Sequence, residues 1–102
     1  MGYYTKYELE IENEKGEFID TTPFIKEIEK IVDYNPFEEP SKWYEAINDM
    51  KKISKKYPDL IFILYGKGED PEDIWKYYFK NGKSQFAPAI IKFEEFDENK
   101  LK

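Results

Sequence analysis

Six consecutive apolar residues, Leu60-Ile61-Phe62-Ile63-Leu64-Tyr65, constrain this chain more than any other segment. A run apolar at every position has no wet face, and six residues are too few for a helix with a buried stripe. It predicts a central strand, apolar on both faces. The remaining residues of a 102-residue chain must supply those neighbours within one domain, because the length allows no second.

The partners are legible on either side. Upstream, residues 3–12 alternate: Tyr3, Thr5, Tyr7, Leu9 and Ile11 face one way, and Tyr4, Lys6, Glu8, Glu10 and Glu12 the other. That is a strand with one wet face. Asn13-Glu14-Lys15-Gly16 is a turn, and Glu17–Asp20 leaves it as a short extended stretch. Thr22-Pro23 reads as a helix start, with Thr at the N-cap and Pro at the first helical position. Phe24, Ile25, Ile28, Ile31 and Val32 then recur at helical spacing up to about Asp33. Two prolines keep Tyr34–Pro40 out of a helix and leave room for a short edge strand. Ser41 reads as the cap of a second helix, whose stripe is Trp43, Ile47, Met50, Ser54 and Tyr57, widened by Ala46 and Ile53. Tyr57-Pro58-Asp59 ends it.

Downstream, Gly66–Pro71 is a loop. A strand over about Ile74–Lys80 meets Lys83–Phe86 across Asn81-Gly82, the strongest short hairpin signal. Strand character continues over Ala87–Phe93, with Pro88 marking a bulge or an edge. Residues 94–102 read as a charged, frayed tail. The order strand, helix, possible short strand, helix and three strands predicts an α+β fold. Two helices would pack on one face of a mainly antiparallel sheet, as in a ferredoxin-like plait.

Composition narrows the chemistry. All sixteen cations are Lys, set against 22 Asp+Glu for a net charge of -6. Arg, Cys and His are absent. No thiolate nucleophile, disulfide, Cys/His zinc site or imidazole base can form. No guanidinium fork is present for bidentate phosphate or guanine recognition. Net negative charge argues against direct nucleic-acid binding and favours a partner with a basic surface, although moderate acidity also serves solubility alone. No stretch approaches the roughly 20 apolar residues of a membrane helix. The first six residues lack the pattern of a signal peptide, and Lys6 breaks the myristoylation motif that Gly2 would begin. A cytoplasmic protein without membrane attachment is the expectation. The Lys, Ile, Tyr and Glu bias suits a low-GC bacterium or its phage.

Several segments also resemble a group of small bacteriophage and mobile-element proteins. They are Lys42-Trp43-Tyr44-Glu45, Asp49-Met50, Ser54-Lys55-Lys56-Tyr57-Pro58-Asp59, Gly66-Lys67-Gly68-Glu69, Asp73-Ile74-Trp75-Lys76 and Tyr78-Phe79-Lys80-Asn81-Gly82-Lys83. A helix closed by Lys-Tyr-Pro-Asp, then an apolar strand and an aromatic hairpin, is similar to the ferredoxin-like domain of YubB-type phage proteins. The likeness covers about residues 41–93, extends loosely to Tyr3–Ile11, and lapses over Gly16–Pro40. It implies a phage or prophage setting and carries over no catalytic residue.

The candidate sites divide by chemistry. Glu69, Asp70, Glu72 and Asp73 beside Gly66 and Gly68 offer hard oxygen ligands, but not at EF-hand spacing, and read better as a solvated loop than a metal site. Gly66-Lys67-Gly68 is too short to cradle phosphate. Lys51, Lys52, Lys55 and Lys56 fall late in the second helix, where cations favour the macrodipole, and read as a solvated end. Nothing places two carboxylates in an apolar cleft, so an enzyme is not expected, nor any cofactor.

Aromatic residues are the most informative. Ile74 and Tyr78 face one side of their strand, and Trp75, Tyr77 and Phe79 the other. One set must pack on the helices while the other meets the open back of the sheet, together with Ile61, Ile63 and Tyr65. A second subunit or the following segment would cover that back; a partner-binding face would use it, and a homodimer satisfies both.

The expected function is a non-enzymatic, anti-CRISPR-like inhibitor of a host antiviral defence effector. Glu8, Glu10, Glu12, Glu69, Asp70, Glu72 and Asp73 would cover a basic surface, anchored by Trp75, Tyr77, Phe79 and Tyr65. The alternatives are a nucleic-acid, nucleotide or signal-molecule module stacking on the sheet, and an accessory phage protein.

Overall fold

The computed structural model describes residues 3–90 and 92–102. Met1, Gly2 and Ile91 lie outside the described residues, and with them the lipidation reading at Gly2 and part of the strand expected over 87–93. The apolar run forms β2 (Ile61–Lys67), held between β1 (Lys6–Glu12) and β3 (Ile74–Lys80), with β4 (Lys83–Pro88) beyond β3. All three pairings are antiparallel, and the strand order is β1-β2-β3-β4. Between β1 and β2 lie both helices, α1 (Thr22–Val32) and α2 (Ala46–Lys56).

The α+β class is as expected, but the connectivity is not that of a plait. A ferredoxin-like plait runs β-α-β-β-α-β, with one helix in each of two crossovers. Here both helices occupy a single connection, and the rest is a meander closed by tight links. The physical reason is the link after β3. Asn81-Gly82 is a two-residue turn that cannot hold the second crossover helix, so β4 returns beside β3.

Register sorts the side chains into two layers. Tyr7, Gly66, Trp75 and Pro88 share one row, Leu9, Leu64, Tyr77 and Phe86 the next, and Ile11, Phe62, Phe79 and Ser84 a third. These rows face the helices. Ile28 of α1 and Ala46, Met50 and Ile53 of α2 close on Tyr7, Ile11, Phe62, Leu64 and Phe79, with Trp43 at the end of the cluster. Burying a side chain of this size stabilises the fold by about 1.5–3 kcal/mol.

Local choices set the element ends. Thr21 is the N-cap of α1 and Pro23 sits in its first turn, one residue from the expected start. Asp20 Oδ1 accepts hydrogen bonds from the Thr22 N–H and hydroxyl, at 3.0 and 2.9 Å. This pulls the Asp20 carboxyl below its usual range, the backbone bond contributing most. Asp33 closes the helix in the left-handed region, φ 69°. The second helix begins later than its expected cap at Ser41. Ser41 instead exchanges two 2.9 Å backbone hydrogen bonds with Thr5, forming an isolated bridge beside β1. Trp43 stays outside the helix and donates its indole N–H to the buried Asp49 carboxylate at 2.9 Å.

The short strands expected near 17–20 and 34–40 reduce to one bridge, Glu12 to Phe18, and a turn at Pro36–Glu38. The β3–β4 turn is the expected Asn81-Gly82, with φ 49° and 78°. Ser54 Oγ accepts the Gly82 N–H at 2.9 Å and so ties α2 to that turn. After β4 the chain leaves the sheet and reaches only a short 3₁₀ turn at Glu98–Lys100. The radius of gyration is 16.5 Å, against about 13 Å for a compact domain of this length. No helix of the described residues is long and apolar enough to cross a membrane.

Candidate functional site: the open face of the sheet

Both helices pack on the same side, so the opposite side of the sheet faces outward. The strand period places Glu8, Glu10 and Glu12 of β1 there, with Ile61, Ile63, Tyr65 and Lys67 of β2, Ile74, Lys76 and Tyr78 of β3, and Gln85 and Ala87 of β4. Two rungs dominate: Glu8 opposite Tyr65 opposite Lys76, and Glu10 opposite Ile63 opposite Tyr78. Ile63 is buried even on this face, screened by the longer side chains around it.

Lys76 is the hub. Its Nζ lies 4.9 Å from the centre of the Tyr65 ring and 5.9 Å from that of Tyr78. A cation at such distances from an aromatic ring is held electrostatically. Tyr65 raises the Lys76 pKa further, so this lysine stays charged through the neutral range. The Glu10 carboxylate beside Tyr65, aided by burial, pushes the phenol pKa up, while Lys76 opposes it. Tyr65 is therefore a neutral donor at neutral pH. The face presents an outer column of carboxylates, then a tyrosine–lysine–tyrosine cluster.

Trp75, Tyr77 and Phe79 are elsewhere. They face the helices and form an aromatic row. Tyr7 and Trp75 have centroids 6.1 Å apart, Trp75 and Tyr77 5.4 Å, and Tyr77 and Phe79 5.7 Å. Phe79 is 0 % exposed and has no surface to offer a partner. Trp75 is half-buried, with its ring laid over Gly66, where any Cβ would collide with it. These three do not share a surface with Tyr65 and the glutamates. The reason is the pleat: Tyr65 pairs with Lys76, which points away from Trp75 and Tyr77.

The acidic loop is also distinct. Glu69 accepts the Tyr4 N–H at 2.8 Å, and Asp73 accepts the Tyr3 hydroxyl at 2.8 Å. The Tyr3 oxygen in turn accepts the Asp70 N–H at 3.0 Å. That bond lowers the Tyr3 pKa, but burial and the Asp73 carboxylate together outweigh it and leave it raised. Two of the four carboxylates thus fasten the loop to the start of the chain, while Asp70 and Glu72 remain exposed. Among the described residues no three acidic side chains converge as a metal site would require. Lys6 and Lys67, paired across β1 and β2, separate the loop from Glu8.

Lys76, Tyr78 and Ile63 are the members of this face that the candidate site residues lacked. The available signal was the alternation Ile74, Lys76, Tyr78, which puts the lysine on whichever side Trp75 is not. No protein-family model, no curated protein and no solved structure matches the chain.

Proposed function

We propose that the chain is a non-enzymatic interaction protein whose open sheet face covers a basic surface on another protein. The observation that carries this reading is the column Glu8, Glu10, Glu12 beside Tyr65, on a face that neither helix covers. Carboxylates at the rim steer a cationic partner and fix its register. Tyr65 supplies the amphipathic area from which an interface anchor is drawn. The resemblance of residues 41–93 to small phage proteins supplies the setting. The partner we propose is a bacterial antiviral effector whose lysines and arginines grip nucleic acid, and inhibition follows from occlusion.

The test is affinity capture from a nuclease-treated bacterial lysate, with elution at rising salt. A single basic protein should be retained at low salt and released as screening grows. Glu8→Lys/Glu10→Lys/Glu12→Lys should abolish retention, and Tyr65→Ala should weaken it by about 2 kcal/mol, roughly 30-fold. Retention unchanged by all four substitutions overturns the reading.

The tyrosine–lysine–tyrosine cluster favours a second reading, in which bases of a single strand stack on Tyr65 and Tyr78 around Lys76. Stoichiometric oligonucleotide binding, lost with Tyr65→Ala and Lys76→Ala but indifferent to the glutamates, would establish it instead.

A further inference from the structure

The segment after β4 is built to be covered and is bare. Ile90, Phe93 and Phe96 are 85, 91 and 80 % exposed. They are interleaved with Glu94, Glu95, Asp97 and Glu98, and their ordered contacts are local, such as Lys100 to Glu94 at 2.7 Å. A second unfinished feature adjoins it. The outer edge of β1 is closed near both ends by the bridges to Ser41 and Phe18, whereas the outer edge of β4 has no partner strand among the described residues. Phe86 sits on that edge, 54 % exposed. The third is a cleft of about 420 Å³ at the hairpin end of the sheet, lined by Pro58, Tyr78, Lys80, Lys83 and Gln85 among others. Its floor is apolar and its rim is cationic.

We infer that a second copy of this chain completes all three: two β4 edges pair antiparallel, and each copy's arm, with Phe93 and Phe96, docks in the other's cleft. With a two-fold axis normal to the sheet, helix-facing residues oppose helix-facing residues, and the register centred on Phe86, the large apolar side chain exposed on that edge, pairs it with Phe86 of the second copy. That register places Ala89 of the second copy opposite Lys83, and the arm that follows starts at the rim of the cleft. Phe93 then packs on Pro58 and Tyr78, while Glu94 and Glu95 meet Lys80 and Lys83. The same docking within one copy fails on reach. The Ala89 N–H still bonds to Ile74 O at 3.1 Å, so the chain is heading away from the cleft at that point. Gln85, opposite Tyr78, lies four strand residues back, about 14 Å, and the four-residue tether to Phe93 spans ~14 Å only when fully extended, which leaves nothing for the reversal of direction. Covering Phe86, Ile90, Phe93 and Phe96 of both copies at about 150 Å² each removes about 1,200 Å² from water. Specific interfaces need about 1,000 Å² or more.

The test is light scattering behind size exclusion, on the full chain at 100 µM and on dilution. The expected mass is twice the 12.3 kDa of one chain. Phe93→Ser/Phe96→Ser should return the 12.3 kDa species with its circular dichroism unchanged. Lys80→Glu/Lys83→Glu should weaken the dimer at least tenfold, and adding Glu94→Lys/Glu95→Lys in the same chain should restore it. A monomeric parent chain overturns the inference, as does a dimer indifferent to these substitutions or an assembly larger than two.

Discussion

Trp43 shows how one side chain can organise both a cluster and a charge. Its ring packs edge-on against Tyr7, centroids 5.5 Å apart, and its indole N–H is the only side-chain donor to the buried Asp49 carboxylate among the described residues. A buried acceptor deprived of its donor costs about 1–3 kcal/mol. Trp43→Phe should therefore lower the unfolding free energy by that much, read as a lower urea midpoint, and Trp43→Phe/Asp49→Leu should recover part of the loss; an unchanged midpoint in the single variant would refute the pairing. Gly66 is the second such residue. Trp75 lies across its Cα, so Gly66→Ala forces the indole off its site, at a cost of about 1–3 kcal/mol for an overfilled position. A red-shifted tryptophan emission should accompany the loss, because the displaced ring meets water.

At the scale of elements, the hairpin and the helices differ in how openly the sequence declares them. Asn81-Gly82 specifies its turn locally, since both residues tolerate positive φ, and the structure places them at 49° and 78°. Gly82→Ala should destabilise by about 1–2 kcal/mol, the penalty of a Cβ in the left-handed region, read as a lower thermal midpoint. Helix α1 was equally legible, because Thr-Pro and the 3.6-residue stripe act within a few residues. The start of α2 was not. Ser41 suits an N-cap by type, but Thr5, 36 positions earlier, takes its backbone into a bridge, and only tertiary placement reveals that competitor. The central position of β2 was plain from its unbroken apolarity. Which face of β3 the helices would take was not, because Ile74 and Tyr78 suit burial as well as Trp75, Tyr77 and Phe79 do. Gly66 broke that tie: opposite it, Trp75 has room to lie flat against the sheet on the helix side.

For the whole molecule, the sheet is a wall with one side furnished and the other offered. The helix side holds the buried cluster, and the outward side carries Glu8, Glu10 and Glu12 beside Tyr65, Lys76 and Tyr78. The acidity behind the net charge of -6 is therefore not one patch. It is spread over the β1 column, the loop at Glu69–Asp73, the arm at Glu94–Glu98 and the helix layer, with Lys6 and Lys67 between the first two. The acidity itself is plain from composition, but its distribution depends on register, which no local signal states. The arm beyond β4 lies off the opposite edge, so a two-fold pairing there leaves both β1 columns open. The most direct test of this face as the site of function is carboxyl footprinting of the captured complex, using carbodiimide-driven amidation read by mass spectrometry. Glu8, Glu10 and Glu12 should be protected by the partner at least fivefold, while Glu29 and Glu38 on the helix layer label as in the free protein. Protection confined to the helix layer, with the β1 column still reactive, would contradict it.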